Sequence, residues 1–479
     1  MTLTENSKRK SWIRVNKWNV DKWDMGLLLV CLGFYLFFPF YDGPFWSKDS
    51  PSYASMGITR EPLYPTFLWI FRKLFGEEGY LLPVVIAQSV LAAYATWKLA
   101  VTVKKYKDGS RILALLSVGF QFGVTFLCRF VAIRSSSYIA SIMTEGLGLS
   151  LYVLFIVQLY QYILEEKTKN LIGTACLAVM LVNLRKQMLL TLALMGAVFI
   201  LYYLIKKRKW KKLLLLFVMT AGLFMASKFT DRLYNYCVRG VWMEHSGNAH
   251  GVLCTLIYTS DEADAGLFED ETLRGLYQEI LGQAEEQGLR IGYAQDGWVN
   301  LSTHYADSYD AIGYGIINPV IQGYVAEHYD CSEVDAVLKF DAYCGEMTGV
   351  LLRQDKGNLI RVLGANIWKG FVNSIARVNR FLNIYAIGAY ALCLGLYVWL
   401  SVRKKNWTAP EHTLTFTEIV LGGVIGNSLV VGVTIFCQPR YMIYNMGLFY
   451  SALSLLIYDT VKEFRQKKTG IQMEEDRKR

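Results

Sequence analysis

Two carboxylates and a small set of cations stand out in this 479-residue sequence because they interrupt long apolar runs. Asp49 leads Ser50, Pro51, Ser52 and Tyr53, and Arg60, Glu61, Pro62, Leu63, Tyr64 and Pro65 follow shortly after. Thr144 and Glu145 open a later apolar run, Arg185 and Lys186 lie in a short turn between two others, and Gln438, Pro439, Arg440 and Tyr441 precede the last. A carboxylate can accept a proton from an attacking hydroxyl, and an arginine fork suits a phosphate because it donates in pairs and keeps its charge. Each residue has a plainer reading as well. Asp49 reads equally as a solvated acid before a helix, Glu145 as a partner for Arg129 or Arg134, and Arg185, Lys186 and Arg440 as cations snorkelling from helix ends.

The elements that must position these residues follow from composition. Hydrophobic residues make up 53% of the chain and charged residues 19%, too apolar for an ordinary soluble enzyme. The apolar residues fall in runs of roughly 17 to 22, the length that crosses a hydrocarbon core as a helix. Ten spans are expected, at 25–41, 80–103, 111–128, 141–163, 170–184, 188–205, 213–228, 381–401, 416–436 and 441–458. The fifth is short. Helices are expected rather than barrel strands, because the alternation a barrel requires is absent.

Cations cluster on every second connection: Lys8, Arg9 and Lys10; Lys104, Lys105 and Lys107; Lys206, Lys207, Arg208 and Lys209; Arg403, Lys404 and Lys405; Lys462, Arg465, Lys467 and Lys468. By the positive-inside rule both termini are cytoplasmic, and the residues singled out above share the outer face. The long polar lead and the lack of a small-residue cleavage site after Tyr41 argue against a cleaved signal. Three regions result: a module of seven spans over 1–228 with a first outer loop at 42–79, an extracytoplasmic, mainly helical domain at 229–380, and a module of three spans at 381–479. The domain carries about 21 acidic and 11 basic residues, whereas the formal net charge is +10, so the cations belong to the other face. They flank spans instead of forming one interleaved face, which points to membrane lipids and away from nucleic acid.

Within the first loop, Ser50 and Pro51 predict a helix start, and a second amphipathic helix is expected over about 65–75 with Phe67, Leu68, Phe71, Leu74 and Phe75 near one side. In the domain, Leu273, Leu276, Tyr277, Ile280, Leu281 and Ala284 recur at helical spacing over about 270–287, and 318–329 and 333–352 also read as helical.

The first-loop residues Asp49 to Tyr53 and Arg60 to Pro65 resemble the corresponding loop of the GT-C superfamily of bacterial polyprenyl-phosphate-dependent membrane glycosyltransferases. Thr144 and Glu145 look like that family's second acidic position, Arg185 and Lys186 like its outer-face cation, and Arg440 and Tyr441 like a signature before the last span. The resemblance covers the membrane modules and leaves the domain unaccounted for. It implies a GT-C-like fold and an inverting transfer of a hexosyl or pentosyl group from a polyprenyl-phosphate donor to a glycan, lipid or protein acceptor of the cell envelope. Asp49 would be the base and Glu145 a second catalytic acid, with Tyr53, Arg60, Tyr64, Arg185, Lys186, Arg440 and Tyr441 binding substrate. A divalent cation, magnesium or manganese, between Asp49 and Glu145 is the cofactor the analogy would add.

A lipid-linked saccharide flippase or secondary transporter is the alternative, but acidic pairs are scarce in mid-span, where transport sites usually lie. A receptor built around the domain would hardly need ten spans. His245 and His250, with Glu244 nearby, are expected to be polar surface residues rather than metal ligands. Cys237, Cys254, Cys331 and Cys344 admit three disulfide pairings, and buried free thiols fit the sequence as well.

Overall fold

The structure, a computed structural model, describes residues 21–130, 137–376, 380–404 and 411–478, with the side chains of 130, 380 and 467–478 excepted. Lys8, Arg9, Lys10, Arg134 and Lys405 therefore lie outside the described residues, as do the side chains of Lys467 and Lys468. The protein is an all-α polytopic membrane protein. The membrane helices are α1 (Lys22–Tyr41), α2 (Leu81–Tyr106), α3 (Arg111–Arg129), α4 (Thr144–Glu165), α5 (Thr168–Leu184), α6 (Lys186–Lys206), α7 (Trp210–Arg239), α8 (Phe381–Lys404), α9 (His412–Thr434) and α10 (Pro439–Gln466). Among the described residues nine of these are long and apolar enough to cross a bilayer, and α5, at 17 residues, is the shorter tenth. It spans about 25 Å, the thin limit of a hydrocarbon core.

The helices alternate in direction, and side-chain pairs mark their two ends. At one end the cations anticipated from sequence meet acids: Lys104 with Asp24 at 2.5 Å, Lys105 with Glu165, Lys206 with Glu418 at 2.7 Å, and Lys107 and Lys404 both with Asp459 at 2.9 and 2.6 Å. These pairs join α1 to α2, α2 to α4 and α10, α6 to α9, and α8 to α10. At the other end lie the first loop, the starts of α4, α6 and α10, and the polar domain.

The first loop contains two helices, Ser50–Ala54 and Leu63–Phe75. In the second, Tyr64, Pro65 and Leu68 are buried, while Trp69, Ile70, Leu74 and Phe75 are exposed. Leu74 and Phe75 share the side of Leu68 as expected, but they lie at the far end of the helix and stay uncovered.

Helix α7 continues unbroken to Arg239 and ends at Gly240, whose φ of 75° closes the last turn in the left-handed region. Residue 229, where the polar domain was expected to begin, falls inside this helix. Its surface turns polar at Asp231 and Arg232 while its hydrogen bonding goes on, and hydropathy reports only the surface. Beyond it, the helices His250–Thr259, Glu271–Glu286, Trp298–Asp310, Asn318–His328 and Glu333–Leu351 enclose a separate core. Leu273, Leu276, Tyr277, Ile280, Leu281 and Ala284 are all buried there.

The last domain helix, Lys356–Ile375, belongs to both cores: Val362 and Ala365 pack in the domain, Val372 and Ile375 in the membrane bundle. It lies so close to α9 that a Cβ on Gly432 would stand 2.6 Å from Ile367 Cγ1 and 3.1 Å from Ile367 Cα. The domain is therefore welded to the membrane module at this helix. All cysteines among the described residues, Cys237, Cys254, Cys331 and Cys344 included, are free thiols.

Candidate active site

Four segments far apart in sequence converge at the domain end of the bundle. The first loop is brought to the start of α4 by a short backbone pairing: Phe45 N–H donates to Ala140 O at 2.8 Å, and Ile142 N–H donates to Phe45 O at 2.9 Å. Ser50, fully buried, donates its hydroxyl to Ile142 O at 2.8 Å. These contacts set Asp49 beside Glu145. Ser50 opens its helix as expected, but Asp49 makes no side-chain cap; its carboxylate turns to arginines instead.

Asp49 Oδ1 accepts from Arg60 Nη2 at 3.1 Å, and Oδ2 accepts from Arg440 Nη1 at 2.9 Å. Arg440 Nε lies 4.0 Å from Glu145 Oε1, which accepts from Arg185 Nη1 at 2.7 Å. The result is a continuous line of alternating charge, Arg60, Asp49, Arg440, Glu145, Arg185. Two tyrosines hold it flat. The Arg60 guanidinium rests 4.4 Å over the Tyr53 ring and donates to its hydroxyl at 3.2 Å; the guanidinium groups of Arg185 and Arg440 lie 4.2 and 4.8 Å from the Tyr441 ring centre. Stacking on an aromatic face is a use of arginine that lysine does not replace.

The line is graded in exposure. The Glu145 side chain is 1% exposed and that of Asp49 30%, so Asp49 is the carboxylate that meets solvent. Burial pushes the Asp49 carboxyl up, but the neighbouring Arg440 and Arg60 outweigh it and hold the group below its usual value of 3.8. Burial pushes the Tyr53 hydroxyl up to about 12, so it stays neutral.

Arg440 owes its position to residues with no local signature. Asn366, on the helix Lys356–Ile375, donates to Gly432 O and Ile435 O at 2.9 and 2.8 Å and accepts from Cys437 N–H at 2.8 Å; Asn373 donates to Cys437 O at 2.7 Å. From the other side, Gln187 and Asn427 both donate to Tyr441 O, at 2.8 and 2.9 Å. Buried amides that satisfy an extended segment in this way fix its path.

Of the residues singled out from sequence, Asp49, Glu145, Tyr53, Arg60, Arg185, Arg440 and Tyr441 thus share one site. Lys186 is exposed beside it, and its backbone N–H donates to Glu61 Oε1 at 2.6 Å. Tyr64 stands behind the site: it is fully buried, packs edge-on against Tyr53 at 5.2 Å and donates to Gln88 at 2.9 Å. Glu145 does not pair with Arg129, which binds Asp42 through two bonds of 2.8 and 2.7 Å. His250 is buried against Tyr314 and Phe340, whereas Glu244 pairs with Lys228 and Arg232, so these two do not gather with His245. Among the described residues no group of three or more His, Cys, Asp or Glu side chains is placed to hold a metal ion.

One acidic residue escaped the sequence reading. Asp310 ends the helix Trp298–Asp310, where the chain continues as a π-helical turn, Ala311–Ile317. Burial raises its carboxyl above the usual range, with Arg440 opposing and Asp49 reinforcing the shift. In a domain so rich in acids, nothing local distinguishes it.

Fold and site together define a multi-pass helical membrane protein with a buried line of paired arginines and carboxylates at one end of its bundle. No protein-family model matches the sequence, and no curated protein does. Among solved structures the chain is similar to the archaeal oligosaccharyltransferase AglB from Archaeoglobus fulgidus, in complex with an inhibitory peptide and a dolichol-phosphate. The identity is 11% and the TM-score 0.45, over 95% of this chain and 52% of that one, so the chain spans about half of AglB's length. It is also similar to ArnT from Cupriavidus metallidurans bound to undecaprenyl phosphate, at 13% identity and a TM-score of 0.31, over 92% of this chain and 77% of the other. The first of these was solved with a dolichol-phosphate and the second with undecaprenyl phosphate. Neither likeness assigns a role to a residue here.

Proposed function

We propose that the protein is a membrane glycosyltransferase that takes a sugar from a polyprenyl-phosphate donor and delivers it to a cell-envelope acceptor on the extracytoplasmic side. The observation that carries this reading is the charge line at the domain end of the bundle, where a solvent-reachable carboxylate and stacked arginines stand together beside the ends of membrane helices.

Asp49 accepts the proton of the acceptor hydroxyl as that oxygen forms its bond to the anomeric carbon. The bond from that carbon to the phosphate oxygen breaks, and its electron pair leaves with the phosphate, where Arg440 and Arg185 meet the charge. Attack opposite the leaving group inverts the anomeric centre. A carboxylate held between two arginines is a weak base, so Asp49 gains strength when the donor phosphate draws Arg440 away from it. Donor binding and activation of the base are then coupled through one guanidinium.

A divalent ion fits poorly between Asp49 and Glu145. Arg440 already reaches both, each Asp49 oxygen accepts from an arginine, and the surplus of guanidinium charge repels a second cation. The same arginines can supply the charge stabilisation a metal would bring.

The test is to reconstitute the protein in liposomes with a polyprenyl-phosphate sugar. Release of free polyprenyl phosphate together with a glycosylated acceptor supports the reading. Movement of the intact donor between leaflets without cleavage would instead favour the flippase alternative.

A further inference from the structure

Behind the charge line, one buried cluster ties together three separate parts of the molecule. His245 lies in the segment that follows α7, and its Nδ1 is 2.6 Å from Oδ2 of Asp231 on that helix; the same oxygen also accepts His245 N–H at 3.2 Å. Its Nε2 is 3.9 Å from Oε1 of Glu61 in the first loop, and that oxygen accepts Lys186 N–H at 2.6 Å. The three side chains are only 10%, 8% and 14% exposed. The segment is laid along the first loop by two more bonds, Ser246 N–H to Ile58 O at 3.1 Å and Asn248 to Thr59 O at 2.9 Å. On its far side, Asp341 accepts Gly247 N–H at 2.6 Å and Ala249 N–H at 3.0 Å. Gly247, at φ 93°, is required here: a Cβ would stand 2.8 Å from Thr59 Cγ2.

We propose that His245 is a positioning residue whose imidazolium, set between Asp231 and Glu61, holds the Arg60–Glu61 stretch and the Arg185–Lys186 turn where their arginines reach Asp49 and Glu145. Two poorly hydrated carboxylates around one imidazole repel each other unless a positive charge lies between them. The two residues that Glu61 ties together, itself and Lys186, are the immediate neighbours of Arg60 and Arg185. Loss of the charge therefore releases both outer ends of the line at once.

The charged groups facing His245 are Asp231 from α7, Glu61 from the first loop and Lys186 from the turn before α6. Glu244, next in sequence, is neutralised by Lys228 at 2.6 Å and Arg232 at 3.0 Å. Burial lowers the basicity of His245, but the Asp231 bond and the attraction of Glu61 outweigh burial and Lys186, so it stays protonated above its usual 6.5. The raised value fixes the sign: the tie is complete below 6.5 and is lost as pH rises through the value in the folded protein.

The experiment is hydrogen exchange on the full chain in detergent micelles, needing no substrate, so its outcome is independent of the transferase reading. Peptides spanning 56–62 and 184–188 are followed from about pH 6 to about pH 9, corrected for intrinsic exchange, with α9 as reference. In the parent, protection of both peptides falls about tenfold across this range while α9 is unchanged, as expected for one charge-assisted interaction. His245→Gln shows the low protection throughout, and His245→Lys, which keeps a cation, retains protection at the upper pH. Should His245→Gln fold poorly, Asp231→Asn serves in its place and moves the transition to lower pH. The proposal is overturned if parental protection tracks α9 at every pH, or if the folded variants match the parent.

Discussion

Arg185 Nη1 and Glu145 Oε1 are 2.7 Å apart, which places the residue after α5 level with the first turn of α4. The 17-residue α5 therefore returns the full height of the bundle. Had it stopped short, Arg185 would stand among the lysines at the opposite end.

Because Glu145 is almost wholly enclosed, removing its partner leaves a stranded charge. Arg185→Ala is expected to destabilise the protein by about 3–5 kcal/mol, and the pair Glu145→Gln with Arg185→Met to recover most of that loss. Thermal unfolding in detergent measures both. Equal losses in the single and double variants would mean that the pair carries no coupling.

Arg440 binds Asp49 at 2.9 Å, stands 4.0 Å from Glu145, and is the group expected to follow the leaving phosphate. Arg440→Lys keeps the charge but loses the fork and the stack on Tyr441. Transfer should fall by about 100-fold or more in kcat, with the unfolding temperature nearly unchanged. A fall confined to KM would place Arg440 in ground-state binding alone.

For pH, the sign follows from the depressed Asp49 value. Its ties to Arg60 and Arg440 are intact above 3.8 and are lost as pH falls through the lower value in the folded protein. The acid limb of kcat/KM, which reports the free enzyme, should therefore lie below 3.8. A limb near neutrality would assign the proton transfer elsewhere.

Metal dependence separates the arginine account from the magnesium or manganese that the family analogy would add. Exhaustive chelation should leave turnover unchanged, and added divalent ions should not raise it. Loss of activity on chelation, restored by magnesium or manganese, would require Arg440 to vacate the space between Asp49 and Glu145.

The sequence displayed the ends of the charge line but not what aligns them. Asp49, Arg60, Glu145, Arg185 and Arg440 were visible because an ionic group in a chain this apolar is conspicuous, and the alternation of spans placed them on one face. Their pairing could not be read, since it depends on contacts such as Ser50 with Ile142 and Asn366 with Cys437 that join distant segments. Small amides and hydroxyls in apolar runs carry no periodic signal. His245 and His250, expected at the surface, are instead enclosed, with side-chain exposure of 10% for the first and burial of the second; the partners of His245, Asp231 and Glu61, are 14 and 184 residues away by sequence number. At residue 229 hydropathy marks a change of surroundings rather than of structure, because a helix can leave the hydrocarbon without ending and this one runs to Arg239.

The most direct measurement is sugar transfer by Asp49→Asn, with membrane insertion and unfolding temperature checked alongside. The substitution removes the proton acceptor and frees Arg60 and Arg440. Transfer should fall by about 100-fold to 10,000-fold while binding of polyprenyl phosphate is kept or tightened. Undiminished transfer by the folded variant would contradict the assignment of Asp49 as the base.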